Sequence, residues 1–509
     1  MEPSYMPVYA NNNPDYYFDG LADFNPLAII DSKLTGYYDD RNKRYETTFS
    51  LTYDLPFVKG LQAKGLFAYD SRARTEKAMK RYYNEWKYVD GEYKPTGVNQ
   101  PSNLQYTSTQ RYSSLAQLSV NYNTIISGNH NVTGLLVGEY RQLTGTGFRA
   151  QKDFELDVLD QLDAGIRDNA VAVGSDIVPG LNLGLIGRAN YNYRTKYLAE
   201  FSFRYDGSSL FPKEGRWGFF PAFSLGWRLS EEAFFKNSIS FINQLKLRLS
   251  HGVMGDDSAA GGFEYMEGYV YPSGSYLFSA NKLTTGSASK GLANKNITWY
   301  TATTTNFGME MDVLNSLFFM QFDVFQRKRE GLLARRASSL PSEFGATFPQ
   351  ENLESDKSIG FELELGHKNM VGKDFHYNIV GNLTWARSMW LYREVAPYGS
   401  SYSKWRNDQA DRWKNMRWGY GFVGQFQNQE EINTSPSQNE NGHAALFPGD
   451  VRYEDWNGDG MISELDMFPA GRDNNAEIFY GLDLNSSYKG ISLTLFFQGA
   501  ANYTLLPTA

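Results

Sequence analysis

Residues 455–466, DWNGDGMISELD, have the oxygen-rich spacing of a calcium-binding loop. Hard cations prefer oxygen ligands, and a 12-residue loop of this type places them around one centre while a glycine allows the sharp turn. The candidate ligands are the oxygens of Asp455, Asn457, Asp459, Met461 (main-chain carbonyl), Ser463 and Asp466. The sequence therefore predicts a bound Ca2+.

The last position of this loop departs from the usual pattern. Asp466 stands where a longer Glu normally supplies two oxygens, so we expect modest affinity. The alternative interpretation is a polar turn rich in Asn, Asp and Gly that binds no metal. Because no amphipathic helix flanks the loop, calcium here would be structural and not part of a sensor.

Aromatic residues are concentrated in two polar stretches, residues 253–305 and 387–426. Aromatic rings stack on sugars and anchor protein partners at low entropic cost. We select four of them as candidate ligand contacts: Tyr265, Tyr269, Trp405 and Trp413. The alternative is that these rings pack the loops together or lie at the membrane interface.

Signatures of catalysis are missing from the sequence. The chain has no cysteine, and its five histidines lack metal-ligand spacing. Glu362 and Glu364 share one strand face, which could indicate acid–base chemistry, but a solvated polar wall explains them as well. We expect a protein that is not an enzyme.

Period-2 alternation of apolar and polar residues predicts the elements that position these residues. Phe375, Tyr377 and Ile379, for example, alternate with His376 and Asn378. Stretches of about 9–11 residues suit a tilted strand that crosses a bilayer. Fourteen strands are predicted, over residues 45–53, 61–69, 112–122, 131–141, 182–193, 197–205, 217–228, 245–252, 306–314, 317–327, 358–367, 374–386, 477–488 and 491–499.

Short and long connections alternate between these strands, as they do in outer-membrane barrels with short periplasmic turns and long outer loops. The expected fold is an all-β antiparallel transmembrane β-barrel. Residues 1–44 and 500–509 would be extracellular loop segments, residues 45–499 the strands with their loops, and residues 387–476 the longest loop. The connections 206–216 and 229–244 fit this pattern least well, and a soluble β-sandwich also has alternating strands.

Composition agrees with a barrel wall. Aromatic residues reach 16% while hydrophobic residues make up only 41%, with a mean hydropathy of −0.50. No apolar run is long enough for a membrane-spanning helix. The net charge of −8 and the scattered Lys and Arg argue against nucleic acid as a partner.

Residues 190–235, 294–333 and 358–369 resemble the barrel of SusC/RagA-type TonB-dependent transporters of Bacteroidetes, as do the PGDVRYEDWNGDGMISELD and YGLDLNSSYKGISLTLFFQGA stretches. The resemblance implies an outer-membrane barrel of about 22 strands with a plug. It also implies energy supplied through TonB and a SusD-like surface lipoprotein over the barrel. Such pairs import oligosaccharides or oligopeptides.

Two features of the whole transporter are not recognised in the sequence. We expect the plug, the TonB-binding segment and the last few strands after residue 499 to be absent from these 509 residues. Fourteen strands would leave two open edges in lipid, so we expect a further segment or chain to complete the wall.

The predicted function is TonB-dependent import of nutrient oligosaccharides or oligopeptides. Two other classes remain open. One is a passive pore or surface adhesin in the outer membrane, and the other is a secreted β-rich glycan-binding protein.

Overall fold

A computed structural model describes residues 7–20, 25–168, 170–174, 176–258, 260–279, 282–338, 340–438, 442–443 and 445–505. Side chains at 278–279, 282–283 and 342 are not described. The ends of the predicted segments 1–44 and 500–509 therefore lie partly outside the described residues.

Fourteen long strands form the framework of the fold. They are β1 Gly36–Asp54, β2 Leu61–Lys80, β3 Ser102–Ile126, β4 His130–Phe154, β5 Ile177–Tyr193, β6 Tyr197–Ser208, β7 Trp217–Arg228, β8 Ile242–Asp256, β9 Tyr300–Val313, β10 Phe318–Arg335, β11 Gln350–Val371, β12 Phe375–Tyr392, β13 Ile478–Tyr488 and β14 Ile491–Ala501.

These strands lie side by side in one sheet in the order in which they occur along the chain. Two short strands complete the sheet, Val171–Gly174 beside β4 and Arg412–Trp413 beside β12. From β6 to β14 every printed pairing is antiparallel. The all-β antiparallel prediction and the number of long strands are confirmed.

The register of β6 with β7 gives these two strands one apolar and one polar face. Phe223 lies opposite Phe201 on β6, and Leu225 lies opposite Ala199. Successive side chains of a strand point to opposite faces, so the next residue of β7, Ser224, shares the other face with its partner Glu200.

The same division continues through β10, β11 and β12. Leu363 pairs with Phe322 on one side and Leu383 on the other, which makes an apolar row across three strands. One position away, Glu362 pairs with Asp323 and Thr384. The predicted polar placement of Glu362 and Glu364 agrees with this register, because Glu364 pairs with Gln321.

The chain divides into two compact units. The first contains residues 1–53, 63–119 and 138–183. Its core is a buried cluster of Met79, Leu104 and Phe154. A two-stranded hairpin, Tyr83–Val89 with Glu92–Val98, and helices α1 Pro26–Ile30 and α2 Ser32–Thr35 also belong to it.

In this hairpin, buried Glu85 accepts a hydrogen bond from the Asn25 amide over 2.9 Å. Burial, reinforced by the negative charge of Glu85, raises the pKa of Tyr83 to about 12.

The second unit contains residues 54–62, 120–137 and 184–509. Its helices are α3 Ala233–Ser238, α4 Ser401–Asn407 and α5 Gln429–Thr434. Short strands in its connections pair as Tyr269–Val270 with Ala288–Ser289, Ser275–Ser279 with Lys282–Thr285, Arg417–Gly419 with Phe468–Gly471, and Phe422–Gln425 with Val451–Tyr453. Single 3-10 turns occupy Leu229–Glu231, Ser342–Phe344 and Glu464–Asp466 in this unit, and Ala10–Asn12 and Leu162–Ala164 in the first unit.

Most strands are longer than the sequence predicts. β1 starts at Gly36 instead of residue 45, and β3 and β4 each contain 25 residues. The longest connection is correspondingly 393–477 and not 387–476. The connection between β7 and β8 is long because it contains a 3-10 turn and α3, whose Phe235 is buried.

Among the residues that the structure describes, no helix combines the length and the apolar character needed to cross a bilayer.

Candidate functional site at the long-loop end

Three long connections of the second unit leave the sheet at the ends of β8, β10 and β12. Because neighbouring strands are antiparallel, the C-terminal ends of these three strands lie at the same end of the sheet. We call this end of the sheet, together with its connections, the long-loop end. The connections are residues 257–299, 336–349 and 393–477. At the opposite end of the sheet the strands are joined by short turns, such as those at 314–317 and 489–490.

A buried carboxylate fixes the root of the 393–477 connection. Asp356 of β11 is only 2% exposed. It accepts a hydrogen bond from Arg329 Nε of β10 over 2.9 Å and also pairs with Lys414. The Lys414 ammonium lies 3.6 Å from the ring centre of Trp390, so the connection is tied to both β11 and β12.

A second buried carboxylate lies where the connection re-enters the sheet. Glu477 pairs with Arg387 Nε over 2.7 Å and with Arg472 Nη1 over 2.6 Å. The Arg387 guanidinium also lies 4.4 Å from the ring centre of Trp413. Buried charges are paired in native proteins, and removing one partner of such a pair is costly, so the two carboxylates hold the start and the end of the long connection.

Hydrogen bonds also link two of the long connections. Glu394 Oε2 accepts from the Tyr392 hydroxyl over 2.7 Å, and Glu394 Oε1 accepts from the Ala337 amide over 3.2 Å. The Tyr392 hydrogen bond, and after it the Ala337 amide, lowers the pKa of the Glu394 carboxyl. The carboxylate is therefore ionised at neutral pH and joins the 336–349 and 393–477 connections.

Trp405 is one of the predicted ligand contacts. It belongs to a group of three aromatic residues and one arginine that we call the aromatic platform, namely Tyr402, Trp405, Arg406 and Trp418. Trp405 is 40% exposed and meets Trp418 edge-on with ring centres 4.8 Å apart. Tyr402 packs beside Trp405 at 5.7 Å, and the Arg406 guanidinium lies 5.7 Å from the Trp418 ring centre. Exposed rings next to a guanidinium can stack on a sugar or peptide plane and donate hydrogen bonds to its oxygens.

Trp413, a second predicted contact, has a different environment. It pairs with Met389 of β12 and is half-buried beneath Arg387. Its contacts support the packing alternative for this ring. The structure brings Trp405 and Trp413 into one connection, but among the described residues no ring contact joins them.

The other two predicted contacts lie in the 257–299 connection and also differ from each other. Tyr265 is half-buried and packs edge-on against Phe263 at 6.2 Å. Tyr269 is 81% exposed on the outer hairpin, the name we give to the paired short strands Tyr269–Val270 with Ala288–Ser289 and Ser275–Ser279 with Lys282–Thr285. Tyr269 is thus accessible to a ligand or partner, whereas the contact of Tyr265 supports the packing alternative.

The first half of the candidate calcium loop is a tight turn organised by its carboxylates. Asp455 Oδ2 accepts from the Gly460 amide over 2.8 Å. Asn457 Oδ1 accepts from the Asp459 amide over 2.8 Å, and Asp459 Oδ1 accepts from the Met461 amide over 2.9 Å. The side-chain oxygens of the first three candidate ligands therefore converge on the amides of the loop, as the turn interpretation also requires.

The second half of the loop has a buried end. Asp466 is completely buried and accepts from the Ser463 amide over 2.7 Å and from the Asn457 amide over 3.2 Å. Ser463 and Asp466 also cap the short 3-10 turn that follows. Among the described residues, no three His, Asp or Glu side chains are grouped closely enough to hold a metal ion. The six-ligand calcium site stays a prediction.

This loop lies against the aromatic platform. The Glu464 carbonyl accepts hydrogen bonds from the Tyr402 hydroxyl and, over 3.1 Å, from Arg406 Nη1. Trp456 stacks on Phe468 at 4.6 Å, and Phe468 pairs with Gly419 beside Trp418. The conformation of residues 455–466 therefore affects how the platform is held.

Sequence reasoning missed the charged residues that fix the long-loop end. Asp356 and Lys414 are 58 residues apart, Arg387 and Glu477 are farther apart still, and no local motif joins either pair. The one usable signal was Arg387, which follows the apolar positions Leu383 and Trp385 on the same strand face.

The sheet and the connections at its two ends define the class of protein. An outer-membrane β-barrel has strands with one apolar and one polar face, short turns at one end of the sheet and long connections at the other end. The chain belongs to the family described as TonB dependent receptor-like, beta-barrel, whose model matches residues 4–453. The predicted SusC/RagA-type barrel and its outer-membrane location are confirmed.

Curated relatives have the same description. TonB-dependent receptor SusC of Bacteroides thetaiotaomicron is 28% identical over 377 residues, covering 72% of this chain and 35% of that protein. TonB-dependent receptor P3 of Formosa agariphila is 25% identical over 524 residues, covering 97% of this chain and 48% of the relative. The chain spans between about a third and a half of the length of these relatives.

Among solved structures, the RagAB peptide importer in its closed-closed state superposes with a TM-score of 0.69 at 17% sequence identity. The match covers 92% of this chain and 48% of the RagAB chain. This similarity establishes the fold.

Proposed function

We propose that this chain is the barrel portion of a TonB-dependent importer of nutrient oligosaccharides or oligopeptides that works with a SusD-like surface lipoprotein. The observation that supports the proposal most directly is the family match over residues 4–453. The relatives are receptors and transporters and not enzymes, which agrees with the absence of catalytic signatures.

The polar face of the sheet suits a large polar cargo. Arg248 pairs with Glu310 over 2.8 Å and with Asp323 over 2.9 Å. Arg188 and Glu200 form a further pair on the polar face. Partly exposed ion pairs contribute little stability. Their value here is a hydrophilic wall whose charges are already neutralised, so that a polar cargo meets no large net field.

The aromatic platform supplies the first contact for cargo in this proposal. Trp405 is exposed and is held by Trp418, whose ring lies beside the Arg406 guanidinium. A ring that is already fixed loses little entropy when a ligand stacks on it. We infer that oligosaccharide or oligopeptide binds at this platform, with Trp405 as the main contact.

The outer hairpin is the surface that suits the lipoprotein partner. Tyr269 and Tyr271 are 81% and 73% exposed and flank the half-exposed Val270. Exposed aromatic side chains of this kind anchor protein interfaces. We infer that this hairpin meets the SusD-like lipoprotein and that the connection carrying Trp405 meets cargo.

We further propose that Ca2+ binds residues 455–466 and stiffens the aromatic platform. The supporting observation is the contact of the Glu464 carbonyl with Tyr402 and Arg406, because a metal that fixes the loop also fixes this carbonyl. An outer loop meets external calcium, so a weak site is sufficient.

Uptake by cells tests the main proposal. Cells that produce the full-length protein with its lipoprotein and TonB are given labelled oligosaccharide and labelled oligopeptide pools, with and without a protonophore. Internalisation of one pool that the protonophore abolishes supports energised import and identifies the cargo class. Uptake that is insensitive to the protonophore would indicate a passive pore, and surface binding without uptake would indicate an adhesin. Because the family is an outer-membrane family, a secreted glycan-binding protein has no support.

A pair of matched variants tests the role of the platform. Trp405→Ala removes the exposed stacking ring, while Phe447→Ala removes a 68%-exposed ring elsewhere in the same connection. We expect Trp405→Ala to weaken cargo binding by about tenfold, since one such ring contributes about 1.4 kcal/mol. Phe447→Ala should bind as the parent does, and equal binding by both variants would remove the platform from the proposal.

A further inference from the structure

The apolar face of the sheet contains a groove near the end of the sheet that has the short turns. Five neighbouring strands, β5 to β9, line it with Tyr191, Tyr197, Ala199, Trp227, Leu249 and Phe307, among others, and its volume is about 550 Å3. The register places Trp227 beside Tyr197 and Leu249 beside Phe307 on the same face. Ala199 lies between larger side chains, so the surface is concave there and not flat.

This face meets lipid in an outer-membrane barrel. Aromatic rings beside the groove mark the level of the membrane interface. Tyr193 stacks on Tyr197 with ring centres 6.3 Å apart, and His130 packs on Tyr193 at 4.8 Å. Amphipathic rings of this kind collect where the bilayer meets water. The groove therefore ends at the interface of the short-turn side, which is the periplasmic side in such barrels.

Cationic side chains stand at that end of the groove. Arg194 and Lys196 occupy the turn that precedes Tyr197, and Arg228 and Lys236 follow Trp227. Against these four cations the same connections contain two acids, Glu231 and Glu232, which leaves an excess of two positive charges.

The acids do not neutralise the whole cluster. Glu232 accepts from Trp227 Nε1 over 3.2 Å and pairs with Lys196 over 3.3 Å. Glu231 pairs with Lys236 over 2.6 Å. In the part of the chain that the structure describes, Arg194 has no acidic partner, and its guanidinium lies 5.3 Å from the ring centre of Tyr193.

We propose that this groove is a binding site for one anionic phospholipid of the periplasmic leaflet. One acyl chain lies in the groove against Ala199, and the phosphate lies at Arg194 and Lys196. The apolar walls account for the chain, and the positive excess at the interface accounts for an anionic head group over a zwitterionic one. The site is independent of cargo import and does not rest on the proposed function.

Native mass spectrometry of the full-length protein tests the site. The protein is exchanged into detergent micelles that contain either phosphatidylglycerol or phosphatidylcholine, and the retained lipid is counted after the detergent is removed in the spectrometer. The parent should retain one phosphatidylglycerol and little phosphatidylcholine. Equal retention of the two lipids would overturn the assignment of the head group.

Two variants and two matched controls locate the binding. Ala199→Trp fills the groove and should abolish retention, whereas Leu365→Trp enlarges a residue on the same face far along the sheet and should not. Arg194→Gln should lower phosphatidylglycerol retention roughly fivefold, the effect of one interfacial cation.

Lys489 is the control for Arg194, because it also lies in a short turn with φ near +46° and its ammonium is 5.3 Å from the ring of the preceding tyrosine. Lys489→Gln should leave retention unchanged. Heat-dependent gel mobility shows that each variant is folded. A folded Ala199→Trp protein that retains the lipid would overturn the proposal.

Discussion

Asp356 connects three parts of the second unit through a single side chain. Its carboxylate binds Arg329 and Lys414, and Lys414 lies over Trp390. Residues that are distant in sequence thus depend on one buried negative charge.

We expect Asp356→Asn to destabilise the protein by about 2 kcal/mol, below the usual cost of breaking a buried ion pair because Arg329 is partly exposed. The 393–477 connection should also become a faster substrate for trypsin in limited proteolysis. Glu351→Gln is the control, since half-buried Glu351 pairs with the exposed Arg336 and loss of this pair should cost less than about 1 kcal/mol. Cleavage of Asp356→Asn at the rate of the control would contradict the anchoring role.

The calcium prediction also belongs to the residue scale. Asp459→Ala removes a candidate ligand together with a hydrogen bond to the Met461 amide. The melting temperature of the parent should rise when calcium replaces chelator, and that of the variant should not. A calcium-dependent rise of equal size in both proteins would show that Asp459 is not a ligand, and no rise in either would leave the loop as a polar turn.

At the scale of the strand, the two faces make opposite predictions for neighbouring residues. Leu383 faces lipid between Leu363 and Tyr480, while Thr384 faces the polar side beside Glu362. Leu383→Arg should lower the free energy of unfolding by about 2–4 kcal/mol, the cost of arginine on the lipid face near the bilayer midplane. Thr384→Arg should be tolerated because its guanidinium lies in water near a carboxylate. Equal loss of stability, measured by urea unfolding in lipid vesicles, would be incompatible with the division into faces.

The number and order of the long strands could be predicted from the sequence, but their lengths could not. Within the bilayer one face is apolar, so alternation is visible, as it is from Phe375 to Trp385. β3 starts at Ser102 and not at residue 112 because the added residues are mostly polar on both faces, apart from Leu104, which is buried in the core of the first unit. Main-chain pairing continues there without an apolar pattern to reveal it.

The candidate site was only partly predictable for a related reason. Trp405 and the 455–466 loop were recognisable from residue type and local spacing. The pairing of Asp356 with Lys414, or of Arg387 with Glu477, depends on how strands and connections meet in space. Nothing local to either residue specifies its partner.

At the scale of the whole molecule, family membership and the sheet describe one kind of protein. The strand order follows the chain, the register keeps apolar residues together, and the family model covers residues 4–453. The proposed import, cargo binding and lipoprotein partnership depend on this arrangement, because a wall with mixed faces would neither insert into lipid nor line a watery passage.

The arrangement can be tested directly because the sequence contains no cysteine. Single cysteines are placed one at a time from Tyr377 to Trp385 in the full-length protein, after any cysteine outside these 509 residues has been replaced. Each is labelled with a fluorophore in vesicles of brominated lipid, and quenching is measured. We predict strong quenching at Tyr377, Ile379, Gly381, Leu383 and Trp385 and weak quenching at the positions between them. Quenching without a two-residue period, or strongest at the polar positions, would contradict the assignment of these strands to a membrane barrel.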